Sequence, residues 1–580
     1  MDRNSIIAIL LILLIWVLWP KWAEFIGGRP QKTPPAAVTA PVDTTGRATT
    51  PARRATAPAP GVAAAESLRS ETLVAAETTP VREITVETSQ YTAVLSNRGA
   101  LLEQVTLGGY RTSAGAPVEL LPPGGYGMGL LVGEPGHEID LTQRVFQATS
   151  AASRYVVGGR DSAVVDFDYT LPNGNRVYKR FTFRGASYTV GFAAGFADLG
   201  HSDRLAFSWY GAVPAAEGDV SHSLPFMKVE SFVGGGLETV QFSGKAATKN
   251  FTGRADWVGI RSKYFLVAFA PSYGDPSEVR LVSMGVKNAA VTYSWQIAPA
   301  NIARSEVSGL LYVGPIDVDL LTQAGHNLDR AADLGWTIIR PISKLVLWTF
   351  LSMHRIVPNY GVIVIVFSVL IKIILHPLTK KSYESTTKMQ KLKPLMDELR
   401  AKYKADQQRL NQEMIKLYKE QGFNPLGGCL PMILQMPIIF AIYAVLSNNI
   451  EFRQAPFMLW IHDLSRPDTV YQLPFSLPLY GRGVNILPIL MAVAMFFQQK
   501  LTITDPKQKM MVYIMPVMML FIFNNLSSGL VLYWFMFNAL SSAHQYWLMR
   551  PQHEPATAVA RAAHPANPAP MKSPMKRRRR

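Results

Sequence analysis

The residue whose chemistry stands out is Lys372. It is the one charge within Gly361–Leu378, GVIVIVFSVLIKIILHPL, an apolar, β-branched run that would cross most of a bilayer as a helix. A cation at mid-helix costs about 2.5–3.5 kcal/mol on insertion scales. Neutralising an ordinary lysine at pH 7 costs about 4.6 kcal/mol, so shedding the proton is no escape. The ammonium is therefore expected to stay charged and to need water or a partner. Snorkelling is the simplest answer. Lys380, at the expected membrane edge, lies roughly 10 Å along the helix, and a lysine stem covers about half of that.

Four more apolar runs follow: Leu426–Ser447, Asn485–Gln499, Met510–Asn525 and Gly529–Met549. None contains Asp or Glu, so no carboxylate is available to Lys372 within the runs. They do carry polar residues: Gln435, Gln498, Gln499, Asn538, Ser541 and Ser542, to which Ser368 adds a hydroxyl one turn from Lys372. If the runs alternate direction, most of these share one half of the bilayer with Lys372. That half is expected to be wet and the other dry. The run Met510–Asn525 is rich in methionine, with Met511, Met515 and Met518 among five. Flexible thioethers suit a surface that accepts many apolar sequences, although plain lipid-facing filler has the same composition. Tyr533 and Trp534 either line the polar half or anchor at the interface.

The elements that position these residues can be read along the chain. Ser5–Trp19 follows Arg3, lacks a clear small-x-small cleavage site and ends in Trp16, Trp19 and Trp22, so residues 1–26 read as a retained anchor. Residues 27–80, rich in Pro, Ala and Thr, form a linker that cannot bury enough apolar surface to fold. From Val81 to about 330 the chain alternates in short segments, REITVET, YTAVLS, AVVDFDYTL, RVYKRFTF and SYTVGFAAGF, with a hairpin signal at LPNGN, Leu171–Asn175. This is a β domain of sandwich or barrel type. His137, Glu138, His201 and His222 are scattered through it with no nucleophile, base and orienter at a usable spacing, so no enzyme site is expected. With Cys429 as the only cysteine, no intrachain disulfide and no cysteine metal site can form. No cofactor is expected.

Residues 334–356 place Trp336, Arg340, Lys344 and Trp348 through an apolar stretch, the pattern of an interfacial amphipathic helix. Residues 379–423 read as a charged helical hairpin. Leu395, Leu399 and Tyr403 form its stripe in one arm, Leu410, Met414 and Leu417 in the other, and Asp406 is an N-cap at the turn. The net charge of +17 is concentrated in this hairpin and in the tail Lys576, Arg577, Arg578, Arg579 and Arg580. The loop Asn448–Gly483 carries only Arg453, Arg466 and Arg482. By the positive-inside rule, hairpin and tail (550–580) are cytoplasmic and the β domain lies outside. Six spans, the anchor plus five in 358–549, agree with both termini being inside. The tail suits ribosomal RNA phosphates or anionic lipid.

Several stretches resemble the YidC/Oxa/Alb superfamily of membrane protein insertases. They are NPLGGCLPMILQMPIIFAIYAVL (Asn424–Leu446), RQAPFMLWIHDLS (Arg453–Ser465), MFFQQK (Met495–Lys500) and SSGLVLYW (Ser527–Trp534). DWVGIRSKYFLVAF (Asp256–Phe269) and LYVGPID (Leu311–Asp317) resemble the end of the large periplasmic domain of Gram-negative-type members. The resemblance implies a membrane α-helical protein. Its five-helix core would hold a hydrophilic groove open to cytoplasm and lipid, beneath an all-β supersandwich periplasmic domain. The groove set is then Lys372, Ser368, Gln435, Gln498 and Asn538. The surface along which substrates slide is Met432, Met436, Met511, Met515, Met518, Tyr533 and Trp534. Implied partners are nascent membrane proteins, the Sec translocon, the ribosome and membrane lipids. The family's groove cation is usually arginine before a PLT motif. HPLT at His376–Thr379 puts Lys372 there, which keeps the charge and loses the bidentate fork. A polytopic secondary transporter is the main alternative, but it would call for midplane carboxylates or broken helices. A membrane-anchored carbohydrate-binding module would leave five spans without a role.

Overall fold

The computed structural model describes residues 80–549 except 123, 135–136, 151, 199–202, 212–214, 218–222, 288–289, 301–303, 378–379, 381–391, 393, 405, 422–429 and 504–508. The anchor, the linker and the basic tail expected from the sequence lie outside the described residues, as do His201, His222 and Lys576–Arg580. The described residues from Val81 onward form one compact unit.

Alternation builds the β domain. In Tyr91–Ser96 and Arg176–Arg184 every second side chain is buried, so each strand turns one face to a common core. An 11-stranded and a 9-stranded sheet result. Their facing side chains, among them Leu95, Leu130, Phe181, Phe192, Phe207 and Trp295, share one apolar cluster. The LPNGN turn closes as expected: the Leu171 amide donates to Asn175 O at 2.8 Å, Gly174 takes a φ of +88°, and Arg176 pairs with Thr170.

One charge lies in that core. Lys179 shares a strand face with Val177, Phe181 and Phe183 and is fully buried. Its ammonium donates to the carbonyls of Gly99, Ala100 and Met128 at 2.8, 2.6 and 2.6 Å. All three acceptors belong to residues at positive φ. The lysine thus ties one sheet to bent backbone of the other. Burial pushes its pKa well below the usual lysine value.

Besides the helical stretch 394–402, eight α-helices have their bounds within the described residues. Helix α1 (Val318–Ala324) is capped by the Asp317 carboxylate, which accepts from the amides of Asp319 and Leu320. It packs with the segment Leu328–Leu334 on the outer face of the 9-stranded sheet. Then follow α2 (Arg340–His354), α3 (Tyr360–Ile374), α4 (Gln407–Glu420), α5 (Leu430–Asn448), α6 (Ile486–Thr502), α7 (Lys509–Phe523) and α8 (Ser528–Met549). Among the described residues no helix is both long and apolar enough to cross a membrane. At 1.5 Å per residue α3 and α7, with 15 residues each, reach about 22 Å, short of a hydrocarbon layer of about 30 Å.

Helix α2 buries Val346, Leu347 and Phe350 while Leu345 and Trp348 are exposed, and Arg340 and Lys344 both turn to Asp329. That is the two-faced helix expected. The charged hairpin needs a correction. Its first arm buries Leu392 and Met396, the expected Leu399 and Tyr403 are half-buried along the same face, and Leu395 alone is exposed, with Met396 in its place. The second arm holds as expected: Leu410 is buried, Met414 and Leu417 pack on the stripe, and Asp406 caps Arg409 N at 2.9 Å.

Candidate functional site

Lys372 lies on α3, whose start is set by Asn359; that side chain accepts from Val362 N at 3.1 Å. The residue is 9% exposed. It donates to Ser541 Oγ of α8 at 2.7 Å and sits 4.9 Å from the Phe537 ring centroid. Phe537 and Ser541 are four residues apart and share a helix face. The chain therefore answers the buried cation with a hydroxyl and a π face, 169 residues distant in sequence. One turn further along each helix, His376 and His544 bring their rings to 5.0 Å.

Polar side chains gather at this end of the bundle. Thr502 Oγ1 donates to Gln545 Oε1 at 2.9 Å, and Ser542 Oγ reaches Ala494 O of α6 at 3.4 Å. Asn538, nearly buried, donates back to Trp534 O at 2.7 Å, and Ser368, fully buried, donates to Val364 O at 2.7 Å. Both amide and hydroxyl are thereby satisfied within their own helices. Gln435 is buried on α5 beside the Tyr533 hydroxyl, and Gln498 is half-buried on α6. Two polar atoms, Trp534 Nε1 and Gln499 Oε1, are buried without a hydrogen bond to the described residues. Such atoms carry a desolvation cost until something pairs with them.

Away from Lys372 the bundle closes on an apolar cluster. Phe350, Tyr360, Ile363, Val364, Phe367, Ile442, Val445, Phe452, Leu530 and Val531 form one buried cluster. Phe350 and Phe367 meet edge to face at 4.7 Å. The loop between α5 and α6 seals this end. Ser528 N donates to Arg466 O, Gly529 N to Leu464 O and Ser528 Oγ to Asp463 O, at 2.7, 2.9 and 2.9 Å. The Asp468 carboxylate caps α6 by accepting from Ile486 N and Leu487 N at 3.1 and 2.7 Å. Burial raises its pKa against those hydrogen bonds.

The methionines divide. Met436 and Met511 are exposed, Met515 and Met518 are half-buried against the apolar cluster, and Met519 belongs to the cluster itself. Met432 lies on α5 with its side chain outside those described. Tyr533 is fully buried, its ring 6.4 Å from Phe367, and Trp534 packs on Phe523 at 5.2 Å. The expectation that Lys372 and Ser368 share a helix face holds. The contact with Ser541 and Phe537 was not foreseen, although Ser541 was among the polar residues counted.

A helical bundle, polar around one buried cation at one end and sealed by aromatic packing at the other, surmounted by a large β sandwich, defines a bundle-and-sandwich class of membrane protein. Comparison places the chain within it. Residues 352–555 match the family described as 60Kd inner membrane protein, and residues 83–349 match the YidC periplasmic domain. The membrane protein insertase YidC of Prosthecochloris aestuarii is 35% identical over 85% of this chain and 87% of its own length. That of Chlorobaculum tepidum is 34% identical over 85% and 86%. Among solved structures, an active YidC insertase with its first transmembrane domain resolved aligns over 80% of this chain and 92% of its own, at 19% identity and a TM-score of 0.35. The chain belongs to the YidC family of inner membrane proteins.

Proposed function

We propose that the chain inserts and helps to fold integral membrane proteins in the bacterial inner membrane, alone or with a Sec translocon. The observation that carries this is the Lys372–Ser541 contact, a cation held in the polar end of a bundle whose other end is closed. In this reading the polar end faces the cytoplasm and lipid as a groove, and the β domain is periplasmic. A substrate's short acidic tail pauses near the ammonium. Attraction at about 4 Å is worth roughly 4 kcal/mol at an effective dielectric of 20. That recruits without trapping. The orphaned Trp534 and Gln499 atoms would pair with the tail's backbone or its water.

The substrate's apolar helix then leaves along α5 and α7. Each contains an internal proline, Pro437 or Pro516. A proline has no N–H to give the carbonyl four residues earlier, so each helix lacks one backbone hydrogen bond where a guest would slide. Met436, Met511, Met515 and Met518 supply an adaptable surface beside them. The six-span topology, both termini inside, and contact of the basic tail with ribosomal RNA or anionic lipid belong to the same reading.

The test is reconstitution of the purified chain with a single-span substrate bearing an acidic tail. Lys372→Ala should slow insertion about tenfold or more, and Lys372→Arg should retain most of it; loss of about 1.4 kcal/mol of attraction is tenfold. Equal insertion by Lys372→Ala for every substrate tried would remove the recruitment step.

A further inference from the structure

The hairpin Thr469–Leu477 and Gly481–Asn485 has no role in the reading above. Its first strand alternates: Tyr471, Leu473, Phe475 and Leu477 at odd positions, Gln472, Pro474 and Ser476 between them. Such a pattern belongs to a strand with one buried face. Here that face is open: Tyr471, Phe475 and Leu479 are 61%, 56% and 85% exposed. A bulge between Gln472 and Leu477 and a positive φ at Leu479 turn the tip.

The hairpin is not loosely attached. Asn524 Nδ2 donates to Tyr480 O and Gly483 O at 2.8 and 2.7 Å, and Asn525 Nδ2 to Leu479 O at 3.0 Å. The Asn485 amide donates to Asn524 O, and Tyr480 meets Phe521 edge to face at 5.4 Å. The turn and the second strand are thus fixed to the end of α7. A tethered hairpin cannot fold its apolar residues inward, so their exposure is part of the design.

We propose that this hairpin lies in the lipid leaflet on the β-domain side, with Phe475 and Leu479 among the acyl chains. Three observations select lipid as its occupant. The apolar surface is continuous with α6, which begins at the residue after the hairpin and exposes Ile489, Leu490, Val493 and Phe497. No acid occurs in residues 469–485, and the single cation, Arg482, turns its guanidinium back onto Leu473 O and Pro474 O at 3.3 and 3.4 Å. Those bonds occupy two of the guanidinium's donors within the hairpin; the charge stays, but fewer of its donors need water. The level is also right. Asn448, at the matching end of α5, donates to Asp333 O just before α2, whose exposed Leu345 and Trp348 mark a second apolar surface on that side. The inference needs only that the bundle be embedded, not that it insert other proteins.

The test uses the full chain with Cys429→Ser and one added cysteine, Phe475→Cys or Leu479→Cys, labelled with an environment-sensitive nitrobenzoxadiazole probe. Val156→Cys on the β domain serves as the aqueous reference. The protein is reconstituted in phosphatidylethanolamine–phosphatidylglycerol vesicles with and without doxyl-labelled lipid, and with iodide on both sides. Both hairpin probes should emit to the blue of the reference, lose intensity to doxyl lipid and resist iodide. Iodide quenching equal to the reference without doxyl quenching would place the hairpin in water and overturn the proposal. Resistance to both quenchers would mean that protein, such as a second copy, covers it, and would overturn it equally. All three substituted positions are exposed, so folding is checked by unchanged thermal unfolding of each variant.

Discussion

Arg453, in the loop after α5, forms an ion pair with Glu217 of the β domain, and both side chains are almost wholly buried, at 4% and 7% exposure. The same guanidinium donates to Arg111 O and lies 5.9 and 5.5 Å from the ring centroids of Tyr264 and Phe265. Gln454 Nε2 also reaches Arg111 O, at 3.1 Å, and Ile450 joins the β-domain core. Sandwich and bundle are therefore joined by desolvated contacts. A buried pair is weak evidence of net stability, but removing one partner strands the other. Arg453→Ala should cost about 3–5 kcal/mol, read as a fall in the thermal unfolding midpoint of the purified chain. Arg453→Met with Glu217→Leu should recover most of it. A double variant as unstable as the single one would mean that the pair matters beyond charge compensation.

Lys263 adds a pH signature to the same junction. Its ammonium donates to Ser465 O at 3.2 Å and lies 4.8 Å from the Tyr264 ring centroid. Burial pushes its pKa down to about 8, against the opposing pull of Asp463 and Glu217. With the folded value depressed, the unfolded chain binds more protons between pH 8 and the ordinary value of 10.5. Stability from this group therefore rises with pH across that window and is flat below it. The gain is at most about 3 kcal/mol. Denaturant unfolding of wild type and Lys263→Met from pH 7 to 10 should show the difference between them shifting toward wild type as pH rises. Parallel curves would place Lys263 at an ordinary pKa.

The β strands were legible because alternation has a direct physical cause, and YTAVLS is a strand with the bounds its pattern implies. The same rule, followed one residue further in RVYKRFTF, puts Lys179 on the buried face, so the lysine staple was readable in principle. What no local pattern carries is its three carbonyl acceptors, which lie 51 to 80 residues away. In the charged hairpin Met396 takes the place expected of Leu395, because a helix face accepts a neighbour of Leu399 three residues away as readily as one four away. The hairpin after Asp468 was passed over as loop because its two prolines and short strands interrupt a pattern that Tyr471, Leu473, Phe475 and Leu477 still display. Lys372 was found by its cost. Its contact with Ser541 was not, because helix packing decides which of several polar residues faces it.

Gly361, the second residue of α3, shows how the closed end is packed. A Cβ there would lie 2.0 Å from Phe457 Cδ2 and 2.7 Å from Phe457 Cβ. Alanine would favour the helix by roughly 1 kcal/mol on propensity alone. Overpacking against Phe457, half-buried on the apolar cluster, costs about 1–3 kcal/mol and should win. Gly361→Ala should lower the unfolding midpoint, and Phe457→Leu in the same chain should restore part of the loss. An unchanged midpoint would show that Phe457 moves aside freely.

Ser541 separates position from charge at the candidate groove. Its hydroxyl accepts from Lys372 at 2.7 Å, and a hydrogen bond to an ionised group is worth about 1.5–3 kcal/mol. If the ammonium recruits substrate by its charge, Ser541→Ala leaves the charge in place and only loosens its placement beside Phe537. Insertion in reconstituted vesicles should then fall less than with Lys372→Ala. The double variant should be no slower than Lys372→Ala alone, because the hydroxyl acts through the lysine. Ser541→Thr, which keeps the acceptor, should approach wild type. Independent, additive losses from the two substitutions would instead mean that Ser541 contacts the substrate itself, and that the lysine is held by other neighbours.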